Sequence, residues 1–254
     1  MNTLRAFVTL WLLSFHRLFW SIGTPMLLLP LTACAMFLVR RRYGADLDPV
    51  MAFHGFSVFL LRVFAPFVTP LCALAFGTAS VGGDREDRTL LFLFIRPLPR
   101  GLILLAKFLA AWPLVLGFTC GAFWLFCRLA GPPGRAAFDA YLPAVVYMAS
   151  AYTALFHLFG ALFRHSTIAA LIYAVVMEVL LGNVPGIIRR VAINYYGRSL
   201  MYDAGVDHGL SAPDPQWFDP YPAHDAKLAL WTITAGTLAA AWLVFRTREY
   251  EEPT

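Results

Sequence analysis

A dense group of charged residues between the second and third apolar runs has the clearest chemical character in the sequence. Acidic residues, Asp84 and Glu86 among them, lead the group, and basic residues follow a short apolar stretch from Leu90 to Ile95. Carboxylates suit the electropositive start of a helix, and Arg96-Pro97 ends that helix because a proline pushes the preceding residue out of helical geometry. The pattern predicts a short amphipathic helix that could dock into a partner's groove. An interfacial loop without a partner fits the same residues.

Two further ionisable residues lie inside apolar runs, Glu178 in the fifth run and Arg62 in the second. A charge within a membrane-spanning segment is costly, so each of these residues is a functional hypothesis by default. Glu178 could pair with Arg62 near the outer end of the second run, or it could line a substrate path. His157, in the fourth run, is expected to form a hydrogen bond between helices.

Several kinds of catalysis are excluded by motifs that the sequence does not contain. A phosphate-binding loop ends in Gly-Lys-Ser/Thr, whereas the only lysines, Lys107 and Lys227, both follow alanine. Neither an HExxH zinc motif nor a GxSxG serine nucleophile occurs. The Asp and His residues of the loop 183–226 match no metal-binding spacing and predict a solvated acidic loop. We therefore expect no catalytic, cofactor or metal site in this chain.

The elements that carry these residues must lie in a membrane. Hydrophobic residues make up 59% of the 254, charged residues 14%, and the mean hydropathy is +0.66, whereas soluble domains have about 45–50% apolar and about 25% charged residues. Six apolar runs approach or exceed the roughly 20 residues of a span: 18–39, 56–79, 102–129, 141–163, 167–182 and 228–245. The sequence predicts an all-α polytopic membrane protein that forms one transmembrane domain over residues 1–254.

The segments outside these runs indicate how the chain meets the bilayer surface. Residues 1–17 predict an interfacial helix, and the loop 183–226 begins with Ile187, Val191 and Tyr195 at a spacing that predicts a basic amphipathic helix. The net charge is +5, but the arginines lie at the ends of apolar runs, where they reach lipid headgroups rather than nucleic acid. Lys and Arg are divided equally between the two sides, so charge alone does not orient the protein.

The block 84–107 resembles the signature of the ABC-2 family of ABC transporter permeases. Members tend to show two acids before Thr-Leu, a Leu-rich turn, Arg-Pro, another Arg, and a Lys that opens the next span. Asp84 stands where Glu is commoner, and Arg88 replaces a small residue. The resemblance extends to the six-span layout, the N-terminal surface helix, and Glu178 followed by Asn183-Val184-Pro185-Gly186. It implies a set of ATPase-coupling residues: Asp84, Glu86, Thr89, Leu90, Leu93, Arg96, Pro97, Arg100 and Lys107.

The resemblance implies the membrane-spanning subunit of an ABC exporter, which moves a substrate with ATP hydrolysed by a separate ATPase subunit. That subunit would bind the ATP and Mg, and the permease would work as a homodimer or as a heterodimer with a similar chain. The block 84–100 and both termini would be cytoplasmic in a multi-pass protein of the plasma or inner membrane. This orientation leaves Arg40-Arg41-Arg42 outside, against the usual bias.

Two other classes of protein remain as alternatives. A stand-alone secondary transporter or channel predicts internal repeats and several intramembrane ions, whereas the sequence shows mainly Glu178. An intramembrane enzyme needs polar residues that converge within the spans, and the apolar runs offer few of them.

Overall fold

The computed structural model describes residues 3–41, 48–86, 98–184, 186–211, 213–215 and 218–247. Every regular element in these ranges is a helix. In chain order the helices are α1 (Thr3–Phe19), α2 (Gly23–Arg41), α3 (Pro49–Gly77), α4 (Gly82–Glu86), α5 (Arg100–Ala130), α6 (Pro132–Leu162), α7 (Ser166–Asn183), α8 (Ile193–Val206) and α9 (Ala223–Thr247). The predicted all-α fold is confirmed.

Six of the described helices are long and apolar enough to cross a membrane, namely α2, α3, α5, α6, α7 and α9. The predicted six-span layout is therefore confirmed. Helices α3 and α6 begin before the corresponding apolar runs, at Pro49 and Pro132. A proline suits the first turn of a helix because its missing N–H would have no partner there, so hydropathy alone underestimates the length of both helices.

Helix α1 is separated from the first span by a turn at Trp20–Ile22 and lies against α5. Trp11 Nε1 donates a hydrogen bond to the carbonyl of Leu109 at 2.9 Å. Leu10 is buried, whereas Leu12 and Leu13 are exposed. The helix is thus amphipathic and attached to the bundle along one side, and its place at a membrane surface stays a prediction.

Two spans contain sections of wider, π-helical geometry. In α3 this section is Leu60–Val68, and in α7 it is Ala174–Leu180. Pro66 lacks an N–H and so leaves the carbonyl of Arg62 without its usual helical partner. The two sections pack against each other and carry Arg62 and Glu178. Such wide turns within helices frequently occur at functional sites.

Helix α6 lies at the centre of the bundle and packs against α3, α5, α8 and α9. Large side chains along its whole length, including Tyr141, Met148, Tyr152 and Phe156, are fully buried. Ser57 of α3 lies within hydrogen-bonding distance of the Tyr141 hydroxyl, 2.9 Å away. Helices α2, α7 and α9 are largely exposed on the outside of the bundle, so their apolar surfaces are available to lipid or to another chain.

Candidate functional site

Asp84 is the centre of a buried ionic cluster at one end of the bundle. It lies in α4, directly after the second span, and its carboxylate pairs with Lys107 of α5 and Arg17 of α1. Asp84 and Lys107 are each only 3% exposed, whereas the side chain of Arg17 is 46% exposed. The cluster therefore joins the N-terminal helix to the two ends of the segment 84–107.

Hydrogen bonds extend the cluster from Lys107 into the centre of the bundle. Lys107 Nζ also donates to the backbone carbonyl of Ser80, at 3.1 Å. Ser80 Oγ lies 2.7 Å from His157 Nδ1 on α6. His157 was predicted to form a hydrogen bond between helices, and its partner here is instead in the turn between α3 and α4. Both Ser80 and His157 are buried. Helices α1, α4, α5 and α6 and the turn after α3 are thus linked through one connected set of polar contacts.

The position of α4 depends on a close approach that only glycine permits. A Cβ atom on Gly82 would overlap Ser166 Oγ at the start of α7, and the Cα of Gly160 on α6 would lie 3.7 Å from it. The backbone of α4 therefore lies directly against the turn between α6 and α7. This contact holds Asp84 in the interior, where Lys107 and Arg17 can reach it.

Separating the buried ions of this cluster from each other would cost considerable free energy. Removing one partner of a buried ion pair leaves an uncompensated charge and typically costs about 3–5 kcal/mol. Asp84 pairs with at least two cations, one buried and one half-exposed. Loss of Asp84 would remove the carboxylate that pairs with the buried Lys107, and loss of Lys107 would remove the buried cation that pairs with Asp84.

The structure describes only some of the remaining predicted coupling residues. Thr89, Leu90, Leu93, Arg96 and Pro97 lie outside the described residues, as does the side chain of Glu86. Arg100 begins α5 and is exposed.

Of the predicted set, the structure brings Asp84 and Lys107 together. Arg17 was not foreseen, because nothing in its local pattern pairs it with a residue 67 positions later.

A second polar centre lies around Glu178, in the π-helical section of α7. Glu178 is fully buried. Its Oε1 accepts hydrogen bonds from the Tyr173 hydroxyl and the backbone N–H of Ile193, both at 3.0 Å, and its Oε2 accepts one from the N–H of Asn194 at 2.9 Å. The buried Tyr152 of α6 lies beside the carboxylate.

The carboxylate of Glu178 thus caps the N-terminus of α8. The first N–H groups of a helix have no partner within the helix, and the positive end of the helix dipole favours an anion.

Arg62 does not reach this carboxylate. It is exposed on α3, and among the described residues Glu178 takes part in no ion pair, since its oxygens are occupied by the start of α8. Arg62 lies instead close enough to Arg198 of α8 for their positive charges to interact. Burial lowers the pKa of Arg198, and the positive charges of Arg62 and Arg189 lower it further.

The prediction of one amphipathic helix over residues 187–196 is wrong, because the structure divides this stretch into two helices. A short 3-10 helix covers Ile187–Val191, the chain becomes extended at Ala192, and α8 starts at Ile193. Ile187 is 78% exposed and Val191 is also exposed, whereas Tyr195 is 2% exposed. Because the helix breaks at Ala192, the N–H groups of the next two residues can donate to Glu178. In a single continuous helix these N–H groups would have bonded to carbonyls of the helix itself.

The segment around α8 forms a compact unit of aromatic and basic side chains. The guanidinium groups of Arg189 and Arg198 lie 5.6 and 4.6 Å from the ring centroid of Phe218. The Tyr195 hydroxyl donates to the carbonyl of Asp219 at 2.9 Å. Among the described residues, no group of three or more His, Cys, Asp or Glu side chains is placed to hold a metal ion.

These features define a polytopic membrane protein with two buried polar centres, one around Asp84 and one around Glu178. A family model described as ABC-2 family transporter protein matches residues 14–205, which include α2 to α7 and nearly all of α8. The chain belongs to the ABC-2 transporter family and is therefore a membrane transport component that is not itself catalytic. Family membership implies association with an ABC ATPase subunit. A comparison with curated proteins gave no match.

Proposed function

We propose that this chain is the membrane-spanning subunit of an ABC exporter, driven by ATP that a separate subunit binds with Mg and hydrolyses. The segment 84–107 couples the two subunits, and both termini lie in the cytoplasm of a cell whose plasma or inner membrane holds the protein. Two copies, or this chain and a similar permease, enclose the substrate path. Alternation between inward and outward access is a two-state equilibrium that nucleotide shifts.

The observation that carries this proposal is the buried pair between Asp84 and Lys107. These residues lie at the two ends of the segment, 23 positions apart, so the pair closes the segment at its base. A partner that pushes on residues between them moves Asp84 and Lys107 together, because separating buried ions is costly. The force is then delivered to α5, whose first turns carry Lys107.

Arg17 brings α1 into the same moving unit. It pairs with Asp84 from the last turn of α1, and Trp11 ties the middle of that helix to α5. Helix α1 therefore follows any displacement of α4 and α5. This arrangement supports a role for the N-terminal helix in coupling as well as in membrane attachment.

The alternative of a stand-alone secondary transporter or channel receives less support. Such proteins bind their coupling ions and substrates with polar groups near the centre of the membrane. Glu178, the main intramembrane acid of the sequence, directs both of its oxygens to backbone N–H groups of α8. It is therefore committed to holding the fold and not to binding a transported ion.

Co-purification from the native membrane, followed by an ATPase assay, tests the proposal. We expect an ATP-hydrolysing subunit to accompany the tagged chain, and Glu86→Lys and Leu93→Asp to weaken its retention, because these residues would contact the partner's groove. Membrane expression serves as the control. Full partner binding and full transport in both variants would show that this segment is not the coupling element.

A matched pair of lysine variants separates force transmission from partner binding. Lys107 and Lys227 are the only lysines. Lys107 is buried against Asp84, whereas Lys227 is exposed at the start of α9. We expect Lys107→Met to retain the ATPase but to lose coupled transport, and Lys227→Met to behave as wild type. Equal activity of the two variants would refute the role given to the ion pair.

A further inference from the structure

A cavity of about 560 Å³ lies beside the turn that joins α5 to α6. Its wall includes Trp124, Arg128, Arg135, Phe138 and Asp139. Lys107 is near the start of α5 and Arg128 near its end, so the cavity is at the end of the bundle opposite to the Asp84 cluster. Its volume is within the range of about 300–1,000 Å³ that is typical of small-molecule sites.

The shape of this turn is fixed by the backbone. Gly131 has a φ of 79°, which favours glycine. Gly134 packs so closely on α5 that a Cβ atom there would overlap the backbone carbonyl of Cys127. The first turn of α6 is thereby held against the last turns of α5, and the arginines of the two helices are brought to one cavity.

The cavity has an excess of positive charge and one aromatic side. Arg128 and Arg135 are exposed, and Asp139 is the single acid of the lining. Neither arginine takes part in an ion pair within the part of the chain that the structure describes. The Arg128 guanidinium lies 5.2 Å from the Trp124 ring centroid, and Trp124 is half exposed.

The position of the cavity selects its ligand chemistry. Both helices cross the membrane, so their shared turn meets the level of the lipid headgroups, where Trp and Arg side chains are commonly found. Guanidinium groups bind phosphate oxygens through paired N–H donors, and Trp124 and Phe138 offer apolar surface to the adjoining glycerol and acyl chain. The two arginines outnumber the single acid of the lining, Asp139, so a headgroup with a net negative charge is favoured over a zwitterionic one.

We propose that this cavity binds the phosphate group of an anionic phospholipid, held by Arg128 and Arg135. The same chemistry would suit a soluble phosphate ester, but the aromatic side chains of the lining and the position of the cavity at the turn between two spans favour the lipid. The site is independent of the coupling segment, so it does not depend on the proposed transport mechanism. It also gives the basic residues at this end of the bundle a binding role.

Quenching of tryptophan fluorescence by brominated lipids tests the proposal directly, since Trp124 lines the cavity. The full-length protein, with any subunit it retains, is placed in phosphatidylcholine nanodiscs that contain brominated phosphatidylglycerol or brominated phosphatidylcholine. Subtracting the signal of Trp124→Phe isolates the contribution of this residue. We expect the anionic lipid to quench it at concentrations lower by on the order of tenfold, which corresponds to one charge-assisted hydrogen bond.

Single variants locate the effect within the molecule. Arg128→Gln and Arg135→Gln are expected to remove most of the preference for the anionic lipid, whereas Arg40→Gln, an exposed arginine at the end of α2, should keep it. Equal quenching by the two lipids in the wild type would overturn the proposal. So would an equal loss in Arg40→Gln, which would indicate general surface charge. Displacement of the lipid by millimolar glycerol 3-phosphate would overturn the assignment to a membrane lipid.

Discussion

Replacement of Glu178 tests whether this buried acid holds α8 in place. In the wild type its two oxygens accept three hydrogen bonds, from Tyr173 Oη and from the N–H groups of Ile193 and Asn194, at 3.0, 3.0 and 2.9 Å. Glu178→Ala leaves the buried N–H groups of Ile193 and Asn194 and the part-buried Tyr173 hydroxyl without this acceptor. A buried donor that loses its partner costs about 1–3 kcal/mol, so for the two backbone N–H groups we expect a loss of roughly 2–6 kcal/mol in the free energy of unfolding.

Glu178→Gln gives a graded version of the same change. The amide oxygen can take the place of Oε1 and accept from Tyr173 and Ile193, but the amide NH₂ then faces the N–H of Asn194. One donor loses its partner, so the expected loss is about 1–3 kcal/mol. Asp225→Asn, which removes an exposed acid from the first turn of α9, is the matched control and should stay within about 0.5 kcal/mol of the wild type.

The measurements are the free energy of unfolding in mixed micelles and amide hydrogen exchange at the start of α8. Exchange at Ile193 and Asn194 should accelerate in Glu178→Gln, because local opening exposes these amides, and it should remain slow in Asp225→Asn. The Gln variant keeps the test decisive if the Ala variant does not fold. Stability within about 0.5 kcal/mol of wild type in Glu178→Gln, together with unchanged exchange, would refute the capping role.

Three further predictions follow from the family assignment and the packing. The chain purified alone should hydrolyse ATP no faster than background, and robust hydrolysis by a preparation proven free of other subunits would contradict this. With the native cysteines replaced, cysteine at Ser211 should react with an impermeant maleimide added to intact cells and cysteine at Arg88 should not; the reverse pattern would invert the orientation. Gly82→Ala should destabilise the protein by about 1–3 kcal/mol through overpacking, and Ser166→Ala should restore part of that loss in unfolding experiments. An unchanged midpoint would mean that α4 can shift.

The sequence predicted features that depend on neighbouring residues better than features that depend on contacts between distant parts of the chain. Span number and helical class follow from runs of apolar residues, which are local, and the structure agrees with them. The partners of Asp84 and Glu178 are set by packing between distant helices, and the sequence placed Asp84 and Lys107 in one block without predicting that they pair. The spacing of Ile187, Val191 and Tyr195 suggested one helix, because periodicity does not register that a distant carboxylate favours a break before Ile193.

The two polar centres are connected through α6. His157 meets Ser80 of the Asp84 cluster at 2.7 Å, and Tyr152 lies beside Glu178. These two α6 residues are five positions apart, or about 7.5 Å along the helix axis. The section of α6 from Ala149 to Ala161 is largely buried, so a displacement at Ser80 meets a closely packed part of this helix.

For the proposed coupling, this connection offers a physical route from one end of the bundle towards its interior. Buried polar groups tolerate only those arrangements that keep their partners. A movement of α4 that shifts Ser80 must therefore move His157 with it or break the contact, and Tyr152, on the same helix as His157, lies beside the carboxylate that caps α8. The route is a contiguous series of neighbouring groups, and coupling along it further requires an element with two arrangements that both sites bias. Its two ends are the carboxylates of Asp84 and Glu178, each of which ties together separate parts of the chain.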